Sequence, residues 1–417
     1  MSLFNKIMIM TLLTTSLFAS VSKKAMVIVP VADLVGAPIK TFGIGKTNKE
    51  SYGTIALCDG ANQTPQASPR MHQLLAHELV DIIAVKEGQN GDEGECCIRV
   101  PSVFFVTKMD KQKQNVFWTQ TKNLISLQKL TNKKISLTKI PSSFSFKKPL
   151  KQSNNTIVLI KPFFDSITGN TFSAGTRFVI DPKATDADYY HAFVFDYTTT
   201  DFKTTLIPKD GALQANFKSP KESITCFVNI LKKWAHCKDG VIFYVWGGCS
   251  FVHCCKDVPF KEVSKKLLTG VTVNVYERSN CKTKPLTGLD CAGLIFRAAQ
   301  MCGIPYFFKN SYTIAQFLKP LCPSDSLHEG DIIWIPGHVM VVSDIKNNKL
   351  IEARGYSHGY GIVQEIELAQ EFKGILTYKD LLTAYFSKTP LTRLNKAALE
   401  VEQIPSFKIL SLSSCWR

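Results

Sequence analysis

Residues 287–303, TGLDCAGLIFRAAQMCG, predict an amphipathic helix that opens with a cysteine, Cys291. The apolar side chains recur at helical spacing, at Leu294, Ile295, Ala298 and Met301. Asp290 precedes the run as a good N-cap, and Gly303 follows it as a good C′ residue. A thiol in the first turn lies at the positive end of the helix dipole, which lowers its pKa. The stretch therefore predicts a reactive cysteine.

The chain has 417 residues, enough for two or three domains. Residues 1–20 have the pattern of a secretory signal peptide, with Lys6 before an apolar run at 7–18 and small residues at 19–22. The run is too short for a stable membrane anchor, and no later segment is apolar over the length of a membrane span. We therefore expect a secreted or periplasmic cell-envelope protein with no stable membrane insertion after signal cleavage.

The formal net charge is +16, and its lysines are scattered along the chain. Such a charge is either a compositional bias or a means of attraction to an anionic polymer such as cell-wall glycan. An exported chain without a basic and aromatic binding pattern is not expected to bind nucleic acid. A monomer is favoured, and no feature of the sequence specifies the oligomeric state.

Thirteen cysteines in an exported protein predict disulfides. Twelve remain when Cys291 is set aside, enough to pair completely, but the pairing cannot be deduced from sequence. A zinc site at Cys249, His253, Cys254 and Cys255 is disfavoured, because adjacent cysteines fit a tetrahedral site poorly and no CxxC pair exists. We expect no metal and no cofactor.

Short β-rich runs divide the chain into regions. Residues 25–110 predict a small β-barrel, and the β-branched residues within 73–86 favour strand over helix there. The Lys-, Ser-, Thr- and Gln-rich residues 111–150 predict a linker, and 151–215 predict a second, less regular barrel. Residues 220–417 predict a third domain, with an inserted loop at 249–286 that is rich in cysteine and lysine.

The third domain has an α+β pattern. A helix is predicted within 219–237, followed by the Cys291 helix and by strands at 331–335, 338–342 and 350–353. A helix at 379–386 and a strand at 407–412 are predicted near the C-terminus.

A nucleophilic cysteine needs a base, and the base needs a group that orients it. His338 opens an apolar strand and is the best candidate for the base. If the hairpin turns at Asn347 and Asn348, alternate residues bring Glu352 of the next strand close to His338. A carboxylate there fixes the tautomer of the imidazole. His358, in a glycine-rich turn, is the rival orienting group.

Four ordered segments carry a resemblance to a known family. They are FYVWGG at 243–248, LDCAGLIFRAAQMCGIP at 289–305, LHEGDIIWIPGHVMVVSD at 327–344 and LIEARG at 350–355. Together they resemble the motifs of the NlpC-type cell-wall cysteine peptidases. This resemblance implies a papain-like core that hydrolyses peptidoglycan stem peptides, typically at the γ-D-glutamyl–diamino acid bond.

The resemblance also implies roles for single residues. Cys291 is then the nucleophile, His338 the base and Glu352 the third, polar residue. Tyr244 matches a tyrosine beside the nucleophile and, with Trp246, is a candidate for substrate binding. Asp290 matches an aspartate that holds the substrate amino group in members acting on short muropeptides with a free N-terminal L-Ala.

Residues 27–38 and 73–85 resemble the start of a bacterial SH3-like barrel found ahead of such catalytic domains. The implied fold class is α+β, with a C-terminal papain-like cysteine peptidase domain preceded by one or two small SH3-like β-barrels. In relatives these barrels narrow the active-site cleft.

The chain departs from the family pattern at four points, one of which is a slightly long loop between His338 and Glu352. Ala292 stands where serine is usual, Glu352 stands where His, Asn or Gln is usual, and the gap between Gly248 and Cys291 is long. Two other functions stay open. One is a non-catalytic wall-binding protein with a decayed peptidase fold, and the other is a secreted cysteine amidase or acyltransferase effector.

Overall fold

The structure is a computed structural model. It describes residues 23–39, 70–88, 94–107, 111–146, 155–184, 187–214, 216–254, 260–266, 272–278, 287–355 and 360–416. The predicted signal peptide and His358 lie outside these residues, as do Cys58, Cys255 and Cys281.

The first seven strands form one antiparallel sheet. They are β1 (Lys23–Val27), β2 (Val31–Val35), β3 (Arg70–Leu75), β4 (Leu79–Lys86), β5 (Glu95–Arg99), β6 (Val116–Gln120) and β7 (Leu124–Ser126). Their order in the sheet is β3-β2-β6-β5-β4-β1-β7. Residues 73–86 thus lie in strands or in the turn between β3 and β4, as the β-branched residues predicted.

Regular elements lie within the first part of the predicted linker at 111–150. Strands β6 and β7 belong to the first sheet, and a short helix, α1 (Leu127–Asn132), follows them. Phe117 of β6 is fully buried and pairs with Ile98 of β5, so this strand has one core-facing side despite its polar neighbours. Burial alternates along β6, as expected for a strand with one face in the core. The Lys- and Thr-rich composition of the surrounding segment hides this alternation in the sequence.

The next seven strands pair in three separate antiparallel groups. They are β8 (Thr156–Leu159), β9 (Phe163–Asp165), β10 (Asn170–Phe172), β11 (Arg177–Val179), β12 (Tyr189–Asp196), β13 (Asp201–Pro208) and β14 (Ala212–Leu213). Strand β8 lies between β11 and β14, while β9 with β10 and β12 with β13 form hairpins. Apolar residues of these strands, such as Ile157, Phe178 and Ile207, share one buried cluster.

The C-terminal region begins with helix α2 (Pro220–Ala235), which Ser219 caps. The elements up to the middle of the region are β15 (Cys249–Ser250), β16 (Phe260–Lys266), β17 (Thr272–Arg278), β18 (Gly288–Leu289), α3 (Cys291–Met301), α4 (Ser311–Phe317), β19 (Lys319–Pro320) and β20 (Ile332–Ile335). The remaining elements are β21 (His338–Asp344), β22 (Lys349–Arg354), β23 (Ile362–Glu367), α5 (Leu368–Glu371), α6 (Tyr378–Ser387), β24 (Leu391–Leu394), β25 (Glu400–Ile404) and β26 (Lys408–Ser411).

A six-stranded antiparallel sheet organises this region, in the order β19-β26-β20-β21-β22-β23. Val339 and Val341 of β21 pack in the same buried cluster as the apolar face of α3. Met340 and Val342 alternate with them and pack in the cluster that contains Phe372. The sheet is therefore covered on both faces.

The predicted insertion at 249–286 contains regular structure. The hairpin of β16 and β17 lies within it, and β15 at its start pairs with β18, next to the Cys291 helix. The described residues thus form a mixed α/β, β-rich arrangement. None of their helices has the length and apolar character needed to cross a membrane.

The first sheet contacts the Cys291 helix through Arg297 of α3. The Nε atom of Arg297 donates to the Cys249 carbonyl at 2.9 Å, and NH1 donates to Glu78 Oε1 at 2.8 Å. The NH2 atom donates to the Gln73 carbonyl at 3.2 Å. Since Gln73 lies in β3 and Glu78 precedes β4, one buried guanidinium joins the helix to both β15 and the first sheet.

Candidate active site

Cys291 is the first residue of α3, as the sequence predicted. The carboxylate of Asp290 caps the helix by accepting a hydrogen bond from the Gly293 N–H at 2.5 Å. At the other end, Gly303 has a φ of +69°, the left-handed conformation that glycine adopts easily after a helix. Both predicted helix boundaries are confirmed.

The absence of a side chain on Gly293 allows the 243–248 segment to lie directly on the first turn of α3. A Cβ atom on Gly293 would lie 2.0 Å from the Gly248 carbonyl oxygen. The same segment hydrogen-bonds with the strand before Cys291, since the Leu289 N–H donates to the Phe243 carbonyl at 2.9 Å. Any larger residue at position 293 would push this segment away from the helix.

The structure places Tyr244 and Trp246 in different surroundings. Tyr244 is buried, and its N–H donates to the Gly361 carbonyl at 2.8 Å. Its ring lies close to Gly355, just beyond β22. Trp246 is half-buried, and its carbonyl accepts a hydrogen bond from Arg70 of the first sheet at 3.4 Å.

His338 and Glu352 are in direct contact. His338 opens β21, Glu352 lies in β22, and their Nε2 and Oε2 atoms are 2.7 Å apart. An ionised carboxylate only accepts hydrogen bonds, so Nε2 is the donor and Nδ1 is left with a free lone pair for accepting a proton. The backbone of Val339, the residue after His338, lies close enough to the Cys291 sulfur to lower the pKa of the thiol.

A buried group of charged side chains surrounds Glu352, and sequence reasoning missed most of it. Arg393 NH2 lies 3.4 Å from Glu352 Oε2, and Gln364 Nε2 donates to Oε1 at 2.9 Å. Glu371 accepts hydrogen bonds from Arg354 and, at 2.6 Å, from Arg393 Nε. Neither Arg393 nor Glu371 lies in an apolar run, since their surroundings read LTRLNK and AQEFKG, so no local sequence signal marks this group.

Burial controls the protonation of the candidate catalytic residues. It raises the pKa of the Cys291 thiol to about 12, with a further contribution from the charge of Asp290. The predicted lowering of this pKa by the helix terminus is therefore wrong for the free protein, because loss of solvent outweighs it.

The His338 imidazole and the Glu352 carboxylate have lowered pKa values. Burial, followed by the positive charge of Arg393, lowers the pKa of His338 to about 4. Burial alone would raise the pKa of Glu352, but the hydrogen bond to His338 and the charges of His338, Arg354 and Arg393 hold it at about 2. Near neutral pH the site therefore contains a neutral thiol, a neutral imidazole and an ionised carboxylate.

Asp290 already has a cationic partner. Lys309 Nζ lies 2.7 Å from both carboxylate oxygens of Asp290. A substrate ammonium group would have to compete with Lys309 for this carboxylate. The geometry therefore does not favour the amine-binding role that the family resemblance implied for Asp290.

The described cysteines other than Cys254 are thiols, so the disulfides expected from composition are not formed among them. Two pairs are nevertheless in contact. The sulfur atoms of Cys237 and Cys254 are 2.8 Å apart. The thiols of Cys226 and Cys302 lie close enough for each to shift the pKa of the other. In the part of the chain that the structure describes, no group of three or more His, Cys, Asp or Glu side chains could hold a metal ion.

The chain matches no protein-family model and no curated protein. Among solved structures, it is similar to one described as a novel NlpC/P60 endopeptidase from Photobacterium damselae subsp. piscicida, with 9% identity over 94% of this chain and 73% of that chain and a TM-score of 0.45. It is also similar to the peptidoglycan hydrolase RipB from Mycobacterium tuberculosis, with 21% identity over 36% of this chain and 63% of that chain and a TM-score of 0.23.

Proposed function

We propose that the chain is a cysteine peptidase that hydrolyses peptidoglycan stem peptides at the cell envelope. The observation that carries the proposal is the 2.7 Å hydrogen bond between His338 and Glu352, next to a cysteine at the start of a capped helix. The four motifs at 243–248, 289–305, 327–344 and 350–355 supply the substrate class. The scissile bond is the one between γ-D-glutamate and the diamino acid.

In this proposal the reaction begins with proton transfer from the Cys291 thiol to His338 Nδ1 as the sulfur attacks the substrate carbonyl. Glu352 stabilises the imidazolium that forms, because its carboxylate is ionised and fully buried beside Nε2. Backbone N–H groups at the start of α3 face the developing oxyanion. The imidazolium then protonates the leaving amine, and His338 activates the water that releases the acyl group from sulfur.

Before the substrate is attacked, the Cys291 thiol and the His338 imidazole are both uncharged. With a raised thiol pKa and a lowered imidazole pKa, the proton transfer accompanies attack and does not precede it. A bound substrate that excludes water is compatible with this state, since neither partner carries a charge before attack. The high positive charge of the chain favours approach to an anionic wall polymer.

The test uses the full chain and the peptide L-Ala–γ-D-Glu–diaminopimelate, with products identified by mass spectrometry. Wild-type protein should release L-Ala–γ-D-Glu, while Cys291→Ala and His338→Ala should not. Cleavage that persists undiminished in Cys291→Ala would exclude the proposed nucleophile. Absence of cleavage by a wild-type protein whose Cys291 reacts selectively with a thiol probe would favour an amidase or acyltransferase, and absence of both would favour a wall-binding protein.

A further inference from the structure

Lys309 occupies a position fixed by the first sheet region. It follows Phe308, which forms a parallel bridge with Phe104, in the segment after β5. The Lys309 N–H donates to the Phe104 carbonyl at 3.2 Å, and the Phe104 N–H donates to the Phe307 carbonyl at 2.9 Å. The backbone at Lys309 is therefore hydrogen-bonded to the N-terminal half of the chain.

The side chain of Lys309 extends from this point to the cap of the Cys291 helix. Only 4% of the Lys309 side chain and 14% of the Asp290 side chain are exposed. The ammonium group contacts both carboxylate oxygens at 2.7 Å, while Oδ1 also accepts the capping hydrogen bond from Gly293. A buried lysine in such a place requires an anionic partner, and a buried aspartate requires a cationic one.

The carboxylate of Asp290 stabilises the helix but disfavours a negative charge on the neighbouring Cys291 sulfur. Asp290 is needed as the N-cap, yet its negative charge lies next to the sulfur on which negative charge must develop. The charge of Asp290 raises the pKa of Cys291, and the charge of Lys309 lowers it. The ammonium thus opposes the electrostatic effect of the cap without removing the cap itself.

Among the described residues near Asp290 and Lys309, no other titratable group offsets the negative charge of Asp290 in place of Lys309. They are His72 of β3, Cys249 of β15, Tyr306 before α4, His338 of β21, and Arg297 of α3 with its partner Glu78. Burial lowers the pKa values of His72 and His338 and raises those of Cys249 and Tyr306, which keeps all four neutral near pH 7. Arg297 is already paired with Glu78 at 2.8 Å.

We propose that Lys309 is a positioning residue for the Cys291 nucleophile: its ammonium group holds and neutralises the capping carboxylate of Asp290, so that the cap does not oppose formation of the thiolate. The inference rests on the proposed role of Cys291 as a nucleophile. It concerns the reactivity of the sulfur alone, however, and can be tested without any peptide substrate.

The experiment measures the rate at which iodoacetamide alkylates Cys291 over a pH series, with the modified peptide quantified by mass spectrometry. In Lys309→Met the profile should shift to higher pH, and a rise of one pKa unit would slow alkylation at neutral pH about tenfold. Lys309→Arg, which keeps the charge, should restore most of the wild-type rate. The double variant Asp290→Asn with Lys309→Met, a neutral pair of similar size, should also restore it.

A second arm covers the case in which Lys309→Met fails to fold with an unpaired buried carboxylate. Asp290→Asn alone keeps an oxygen for capping and leaves the cation beside the sulfur, so Cys291 should be alkylated faster than in wild type. An equal or slower rate in Asp290→Asn, or an unshifted profile in a folded Lys309→Met protein, would overturn the inference. Loss of peptide cleavage with these alkylation profiles intact would count against the proposed function alone.

Discussion

The Nε2 atom of His338 and the Oε2 atom of Glu352 lie 2.7 Å apart at a place where the carboxylate has no contact with solvent. Burial of an ionised carboxylate is costly unless its oxygens are satisfied. Here Gln364 and Arg393 supply further hydrogen bonds to Glu352, and Arg354 NH1 lies 4.0 Å from its Oε1. The imidazole is therefore oriented by a group that is itself held on several sides.

Glu352→Gln should lower kcat/KM for the stem peptide by about 10²-fold or more while leaving the fold intact. The amide keeps the size of the side chain, but it neither fixes the required tautomer of His338 nor stabilises the imidazolium. Steady-state kinetics on the purified variant gives the comparison. Gln364→Met, which removes a hydrogen bond to Glu352 and keeps the carboxylate, should cost much less. Equal losses in the two variants would show that the charge of Glu352 is unimportant.

Peptide cleavage should persist into mildly acidic solution. The base must be neutral, and the pKa of His338 is lowered from 6.5 to about 4 by burial and Arg393. The acid limb of kcat/KM should therefore fall near pH 4 and not near pH 6.5. A limb close to 6.5 would contradict the buried position of the imidazole.

The same shift gives stability a definite pH dependence. Between pH 6.5 and about 4 the unfolded chain protonates His338 while the folded chain does not. The unfolded state then binds more protons, so the free energy of unfolding should decrease as the pH falls through this window. Urea unfolding at several pH values measures the trend, and His338→Gln should remove its part of it.

Arg393→Met should destabilise the protein by about 3–5 kcal/mol, because it leaves Glu371 and Glu352 short of a partner in a buried site. Lys373→Met is the matched control. Lys373 forms an ion pair with Glu400 in which both side chains are largely exposed, and such pairs contribute only about 0–1 kcal/mol. Chemical denaturation of both variants tests the contrast. Similar losses would mean that the buried charges are not mutually dependent.

Cys237 and Cys254 should form a disulfide in an oxidising environment, since their sulfur atoms are already 2.8 Å apart. Exchange with oxidised glutathione would convert the two thiols to one disulfide and the oxidant to two molecules of reduced glutathione. Closing the chain between residues 237 and 254 should raise the free energy of unfolding by about 3 kcal/mol. Peptide mapping without reductant should find the cross-link, and Cys237→Ser should lose the difference in Tm between oxidised and reduced protein. Absence of the linked peptide after oxidation would refute the pairing.

Local patterns allowed the sequence to specify the Cys291 helix and the His338 hairpin. The apolar spacing and caps of α3 lie within one stretch, and the hairpin needs only two alternating runs around Asn347 and Asn348. These short-range signals predicted the neighbours Cys291, Asp290, His338 and Glu352 without any knowledge of packing.

The other parts of the site depend on contacts between distant residues. Arg393 is 41 positions from Glu352, and Lys309 is 19 positions from Asp290. A single sequence carries no signal that pairs such charges. The protonation of Cys291 also escaped prediction, because the loss of solvent around the sulfur is a property of tertiary packing and not of helix position.

The three hydrogen bonds of Arg297 bear on how such a chain can be engineered. A chimera that kept residues 220–416 and carried a different N-terminal module would lose the Gln73 and Glu78 acceptors. The buried guanidinium of Arg297 would then keep only one of its three acceptors, the Cys249 carbonyl. Module exchange in this protein should therefore succeed only when the helix surface at position 297 is redesigned together with the graft.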